Sequence, residues 1–105
     1  MSNPGSDLGR YAEPVLLILI SLAAGPKHGY AIMEDVRETA DVKIGPGTLY
    51  AALARLEKRG LIVPIESDDR RQPYQVTAAG SQALRSHLAS MQAIATAGLE
   101  RLDTA

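Results

Sequence analysis

Residues 15–24, VLLILISLAA, restrict the fold of this chain more than any other stretch. Every side chain in the run is apolar except Ser21. It is well short of the ~20 residues that a membrane-spanning helix needs, and Pro14 before it suits the first turn of a helix, where a missing N–H leaves nothing unsatisfied. A helix apolar nearly all round has no face to give to water and must be buried. The chain has four tyrosines and neither Phe nor Trp, so what buries that helix is Leu, Ile, Val and Ala. Such a composition favours packed helices over a sheet sandwich. At 105 residues one domain is expected, with room for completion by a partner subunit.

The remaining elements follow from punctuation and periodicity. Residues 1–12 (MSNPGSDLGRYA) read as a flexible lead-in, rich in Ser, Asn, Pro and Gly. Gly25-Pro26 breaks the first helix, and a second is expected from about His28 to Thr39, with Tyr30, Met33 and either Val36 or Arg37 at helical spacing. Asp41 to Pro46 is a turn. Thr48 is placed as the N-cap of a third helix in which Leu49, Leu53 and Leu56 form the inner face and Gly60 the stop. The opposite face carries Thr48, Ala51, Ala54, Arg55 and Lys58.

Leu61–Glu66 and Gln72–Thr77 are short β-prone segments around the charged loop Ser67–Arg71, and together predict a two-stranded hairpin. Pro64 and Pro73 each remove a ladder donor and keep both strands short. Thr77 then caps a last helix from Ala78 to about Leu102. Along it Leu84, Leu88, Met91, Ala95, Gly98 and Leu102 alternate spacings of four and three, a heptad stripe that a second helix can pack against.

Several chemistries are excluded on residue types alone. Cysteine is absent, which removes disulfides and thiolate ligands, and His28 and His87 lack any metal-binding spacing, so no metal or cofactor is expected. Ser21, Ser67, Ser81, Ser86 and Ser90 have no nucleophile-elbow context, and Asp68 and Asp69 sit on a solvated loop tip. The chain is therefore not expected to be an enzyme. With neither a basic leader nor a membrane span, the expected location is cytoplasmic.

Helix, helix, turn, helix, hairpin, long helix is the order of a mainly α winged helix-turn-helix with an added C-terminal helix. The division expected is 13–77 for the DNA-binding part and 78–105 for dimerisation. In this plan the third helix enters the major groove. Thr48 and Arg55 and Lys58 supply a hydroxyl and two cations, and small Ala51 lets the backbone approach the DNA. Arg70 and Arg71 at the hairpin tip suit the minor groove or its phosphates. Lys27 and His28 stand at the amino end of the second helix, where free amides favour phosphate, and Tyr30 and Tyr50 pair an inward ring with a hydroxyl for the backbone. Each feature also has a plainer reading as solvated surface or core edge. Net charge is only −1, so the argument rests on where the charges lie.

The segments HGYAIMEDV, IGPGTLYAALARLEKRGLI and YQVTAAG together resemble the PadR family of prokaryotic transcriptional regulators over roughly Glu13 to Leu102. The resemblance implies a homodimer whose first and last helices exchange contacts, here through Val15, Leu16, Leu19, Leu84, Leu88, Met91, Ala95, Leu99 and Leu102. It also implies a pair of recognition helices reading an inverted-repeat operator in double-stranded DNA, usually to repress transcription. A small hydrophobic or phenolic effector is a further implied partner, for which Leu88, Met91 and Ala95 offer a pocket or simply dimer core. Two departures stand out: Gln72-Pro73-Tyr74-Gln75 replaces a more basic stretch with paired tyrosines, and Ala51 stands where the family often has proline. A winged-helix module that binds protein instead of DNA is the alternative from another class.

Overall fold

The computed structural model describes residues 13–104; the lead-in 1–12 and Ala105 lie outside the described residues. The apolar run forms α1 (Pro14–Ala23), with Pro14 in its first turn. Leu17, Ile18, Leu19 and Leu22 are buried, and α1 touches α2 (Gly29–Ala40), α3 (Pro46–Lys58), the strand β3 (Pro73–Val76) and α4 (Ala78–Thr104). The remaining core comes from Ile32 and Val36 of α2, Ile44 of the turn, Leu49, Ala52, Leu53 and Leu56 of α3, Ile62 and Leu84. A helix without a wet face has thus become the axis around which the others pack.

Three local expectations need correction. The buried stripe of α2 is Gly29, Ile32 and Val36, and Tyr30 is exposed. Of the expected set, Val36 is buried and Met33 packs half-buried against the core; Ile32 takes the inward place that Tyr30 does not. Next, Thr48 does not cap α3: the helix begins two residues earlier at Pro46, with extended Gly45 as N-cap, so Thr48 falls inside the first turn with its side chain exposed. Proline in the first turn has its φ already set for a helix, which moves the start upstream of the hydroxyl.

The hairpin, finally, is a three-stranded sheet. Lys27–His28 form β1, which pairs antiparallel with β3; β2 (Ile62–Pro64) pairs with the other edge of β3, giving the order β1-β3-β2. Lys27 stands opposite Tyr74, and His28 opposite Pro73. A two-residue strand has no periodicity to read, and only its partner defines it.

The junction between α3 and α4 is fixed by hydrogen bonds from few residues. Gly60, with φ +74°, follows the end of α3; its N–H reaches the Glu57 carbonyl at 3.0 Å and the Leu61 N–H reaches the Leu56 carbonyl at 3.0 Å, the paired bonds of a Schellman ending. The Thr77 hydroxyl donates to the Gly60 carbonyl at 2.7 Å and accepts from the Gly80 N–H at 3.0 Å, capping α4 while tying it to α3. A β-carbon at Gly80 would collide with the Leu61 carbonyl oxygen, so the first turn of α4 sits against backbone that only glycine allows so near. Past Leu84 the support ends: every described residue of α4 from Arg85 onward is exposed. Those twenty residues project about 30 Å at the helical rise.

Candidate nucleic-acid interface

Four residues of α3, Leu49, Ala52, Leu53 and Leu56, are locked in the core, and this fixes the rotation of the helix. The outward face is then Thr48, Ala51, Ala54, Arg55 and Lys58, all exposed, as the periodicity predicts. No bulky apolar group stands among them. Arg55 and Lys58 lie in the last turn, where cations also suit the helix dipole. Thr48, Ala51 and Arg55 share a groove with Glu13, Pro14 and Val15, so the start of α1 borders the same face. Lys43, in the turn before α3, lines a depression beside it with Thr48 and Glu13. Sequence reasoning passed over Lys43; a cation directly before the best-marked helix was the available signal.

The amino end of α2 is where distant residues meet. Tyr50 of α3 leans over Gly29, its hydroxyl lying 2.8 Å from where a β-carbon of that residue would be. On β3, Tyr74 is half-buried, and its phenol pKa is raised by burial first and then by the Glu57 carboxylate and Tyr50. The wing loop folds back on itself, with the Asp69 N–H donating to Ser67 Oγ at 3.0 Å and the Arg71 N–H to Asp69 Oδ1 at 3.4 Å. That turn brings Arg71 Nη1 within 3.1 Å of His28 Nε2, across 43 residues of chain. Arg70 remains exposed at the tip.

Two expected phosphate contacts are employed differently. The Lys27 ammonium donates to the Ser21 carbonyl at 2.6 Å and to the Gly25 carbonyl at 3.4 Å, closing the end of α1. The buried Ser21 hydroxyl makes no close hydrogen bond, yet it lies near enough to Asp35 of α2 to act on that carboxyl. The Ser21 hydroxyl holds the Asp35 carboxyl below its ordinary pKa; desolvation opposes this, while the Thr39 hydroxyl, 3.2 Å away, and the Lys27 charge assist. The Tyr30 hydroxyl in turn faces Glu34 one helical turn on, whose acceptor oxygen and charge raise the phenol pKa, with Arg37 and Arg71 pulling slightly the other way.

The residues expected at a dimer interface divide into two sets. Leu19 and Leu84 are buried in the core of their own protomer, and Val15 and Leu16 are half-buried against it. Leu88, Met91, Ala95, Leu99 and Leu102 are exposed, and Ile94, 73% exposed, joins them. Ile94 falls outside the four-three spacing and escaped the sequence reading for that reason. Of the residues considered for an effector, Leu88 borders a depression with Ala23, Ser81 and Arg85. A second hollow of about 340 Å³ lies between α1 and α4, lined by Val15, Leu16, Leu19, Ala83, Leu84 and His87, with Glu13 at its edge.

Among the described residues no group of three or more His, Asp or Glu could hold a metal ion, and no helix is long and apolar enough to cross a membrane. Residues 17–86 match the transcriptional regulator PadR-like family. An uncharacterised 37.1 kDa protein in transposon TN4556 of Streptomyces fradiae is 42% identical over 82 residues, 78% of this chain and 24% of that protein. The transcriptional activator GvpE2 of Halobacterium salinarum is 34% identical over 88 residues, 83% of this chain and 44% of its own. The chain therefore spans a quarter to less than half of these curated relatives. Among solved structures, a PadR family transcription regulator from Clostridium difficile superposes with a TM-score of 0.76 at 28% identity, covering 85% of this chain and 97% of that one. A transcriptional regulator from Clostridium thermocellum gives 0.73 at 25% identity, covering 95% and 97%. With the winged helix-turn-helix, the small-faced α3 and the long α4 in place, this chain belongs to the PadR-like family, whose members are DNA-binding transcriptional regulators and not enzymes.

Proposed function

We propose that the chain is a cytoplasmic repressor that binds an inverted-repeat operator as a homodimer, with residues 13–77 contacting DNA and 78–105 joining the protomers. The observation that carries this reading is the outward face of α3, free of apolar bulk, flanked by the wing and carrying Thr48, Arg55 and Lys58. A helix so faced fits the major groove, and its small Ala51 and Ala54 bring the backbone close to the base edges. Tyr50, His28, Arg70 and Arg71 are the companions for phosphates on either side. Lys27 acts indirectly, by holding the end of α1 against β1, and Tyr30 reaches phosphate only by leaving Glu34.

The dimer is the second half of the reading. The exposed stripe on the outer part of α4 is too apolar to stand in water along its whole length, and a copy of itself is the partner that matches it in spacing. Two recognition helices carried this way must lie near one turn of DNA apart, ~34 Å. A small hydrophobic or phenolic effector in the α1/α4 hollow would tilt one element against the other and release the operator. A relative bears the name of an activator, so the sign of regulation belongs in the test.

A gel-shift titration against the chain's own upstream promoter fragment, at two salt concentrations with excess competitor DNA, tests the proposal. Specific retardation that weakens steeply with salt supports it. No retardation at micromolar protein transfers the reading to a winged-helix module for a protein partner. In vitro transcription from a shifted promoter then reads repression or activation.

A further inference from the structure

The imidazole of His28 faces two neighbours that can only donate. Its Nδ1 stands 3.4 Å from the Ala31 N–H at the start of α2, and its Nε2 stands 3.1 Å from Arg71 Nη1 on the wing. A neutral imidazole has one acceptor nitrogen, because the other carries the proton. With the proton on Nδ1 the ring accepts from Arg71 and leaves Ala31 without its cap; with the proton on Nε2 it caps Ala31 and turns a donor toward Arg71. The imidazolium has two N–H groups and no acceptor, and it adds a positive charge beside a guanidinium.

We propose that His28 is a proton-sensitive latch between the wing and the helix-turn-helix: neutral, it holds either the wing or the α2 cap, and protonated, it releases both. The other charged and titratable groups around it are known. Lys27, beside it on β1, is engaged with the carbonyls of Ser21 and Gly25. On the wing, Asp69 accepts the Arg71 backbone N–H. Tyr30 with Glu34 lies on α2, Tyr50 comes from α3 over Gly29, and Tyr74 lies opposite Lys27 on β3. Of these side-chain types imidazole alone ordinarily changes charge between about pH 5 and 8. His87 is remote, in the α1/α4 hollow. On the DNA-binding reading above, on which this consequence rests, the latch makes the position of Arg71 on the operator depend on pH.

The test uses the free 105-residue chain and needs no DNA. Nuclear magnetic resonance from pH 7.5 to 5.5 follows the His28 ring, the Ala31 amide exchange corrected for its intrinsic rate, and the Arg71 guanidinium protons. The expected result is loss of whichever contact the neutral ring holds, read as a fall in Ala31 protection of up to roughly tenfold, as a lost N-cap produces, or as freed Arg71 protons, tracking the His28 ring. In His28→Asn, which keeps a capping acceptor, Ala31 protection stays level across the same range. A ring that keeps one charge state throughout, or that titrates while Ala31 and Arg71 are unchanged, overturns the proposal, as does an equal fall in the Asn variant. Failure here leaves the gel-shift result standing, and an absent gel shift leaves this one standing.

Discussion

Leu53 on α3 and Leu88 on α4 are the same residue type on the same kind of element, yet Leu53 is 1% exposed and Leu88 38%. On α3 every large apolar side chain but Tyr50 is buried by its own protomer, so what remains outside is small, polar or cationic. On α4 beyond Leu84 nothing is buried, and Leu88, Met91, Ile94, Leu99 and Leu102 stay in water. One helix is finished within the protomer and presents a surface suited to a polar, anionic partner. The other leaves an apolar stripe outside, which on the proposed reading a second copy covers. The two regions teach that exposure by itself identifies no function; the chemistry left outside after the core is satisfied does.

The comparison breaks most visibly on the α4 side. Leu88→Glu combined with Met91→Glu puts two charges on the apolar stripe, and the expected outcome is a monomer in sedimentation analysis with operator affinity down by ~100-fold or more, since two tethered contacts become one. A monomer of the unsubstituted chain would refute the premise. On the finished side, Leu53→Ala opens a cavity in the core and is expected to lower unfolding free energy by about 2–5 kcal/mol in a denaturant titration. About half a turn of α3 separates that interior from the outward face. Arg55→Ala is expected to weaken operator binding by roughly tenfold or more, within the 1–3 kcal/mol of a base or phosphate contact, while the melting temperature stays near that of the parent. Unchanged affinity would remove Arg55 from the interface.

The smallest effect belongs to the contact of α1 with α2. The folded pKa of Asp35 is lowered, so its contribution to stability is present above the ordinary carboxylate range and is lost as pH falls through the folded value. Asp35→Asn should therefore melt slightly earlier than the parent at pH 7, and the two curves should draw together as the pH is taken below the ordinary carboxylate range. A gap that persists in acid would assign the Ser21–Asp35 contact to shape instead of charge.

Much of this arrangement was readable from residues alone, because it depends on local patterns. The apolar run at 15–24, the Leu49, Leu53, Leu56 spacing with Gly60 behind it, and the Thr77 cap each state their structure within a few positions. The outward face of α3 follows from the same spacing by subtraction. What was missed is non-local or competitive. Strand β1 exists only because β3 lies beside it. The start of α3 was decided by Pro46 against Thr48, and on α2 Ile32 takes the inward place that Tyr30 does not, contests that only the assembled core resolves.

The sequence by itself determined the element order, the helix that must be buried, the face of α3 left for a partner and the stripe on α4. These depend on periodicities of a few residues and on the conformational limits of Pro and Gly, which act wherever the chain goes. The tertiary structure decided that Lys27 serves the carbonyls of Ser21 and Gly25, that Arg71 turns to His28, that Tyr50 covers Gly29 and that Leu19 and Leu84 belong to the chain's own core. Such contacts join residues many positions apart, and their partners are chosen by packing around α1, a choice no stretch of the chain encodes alone.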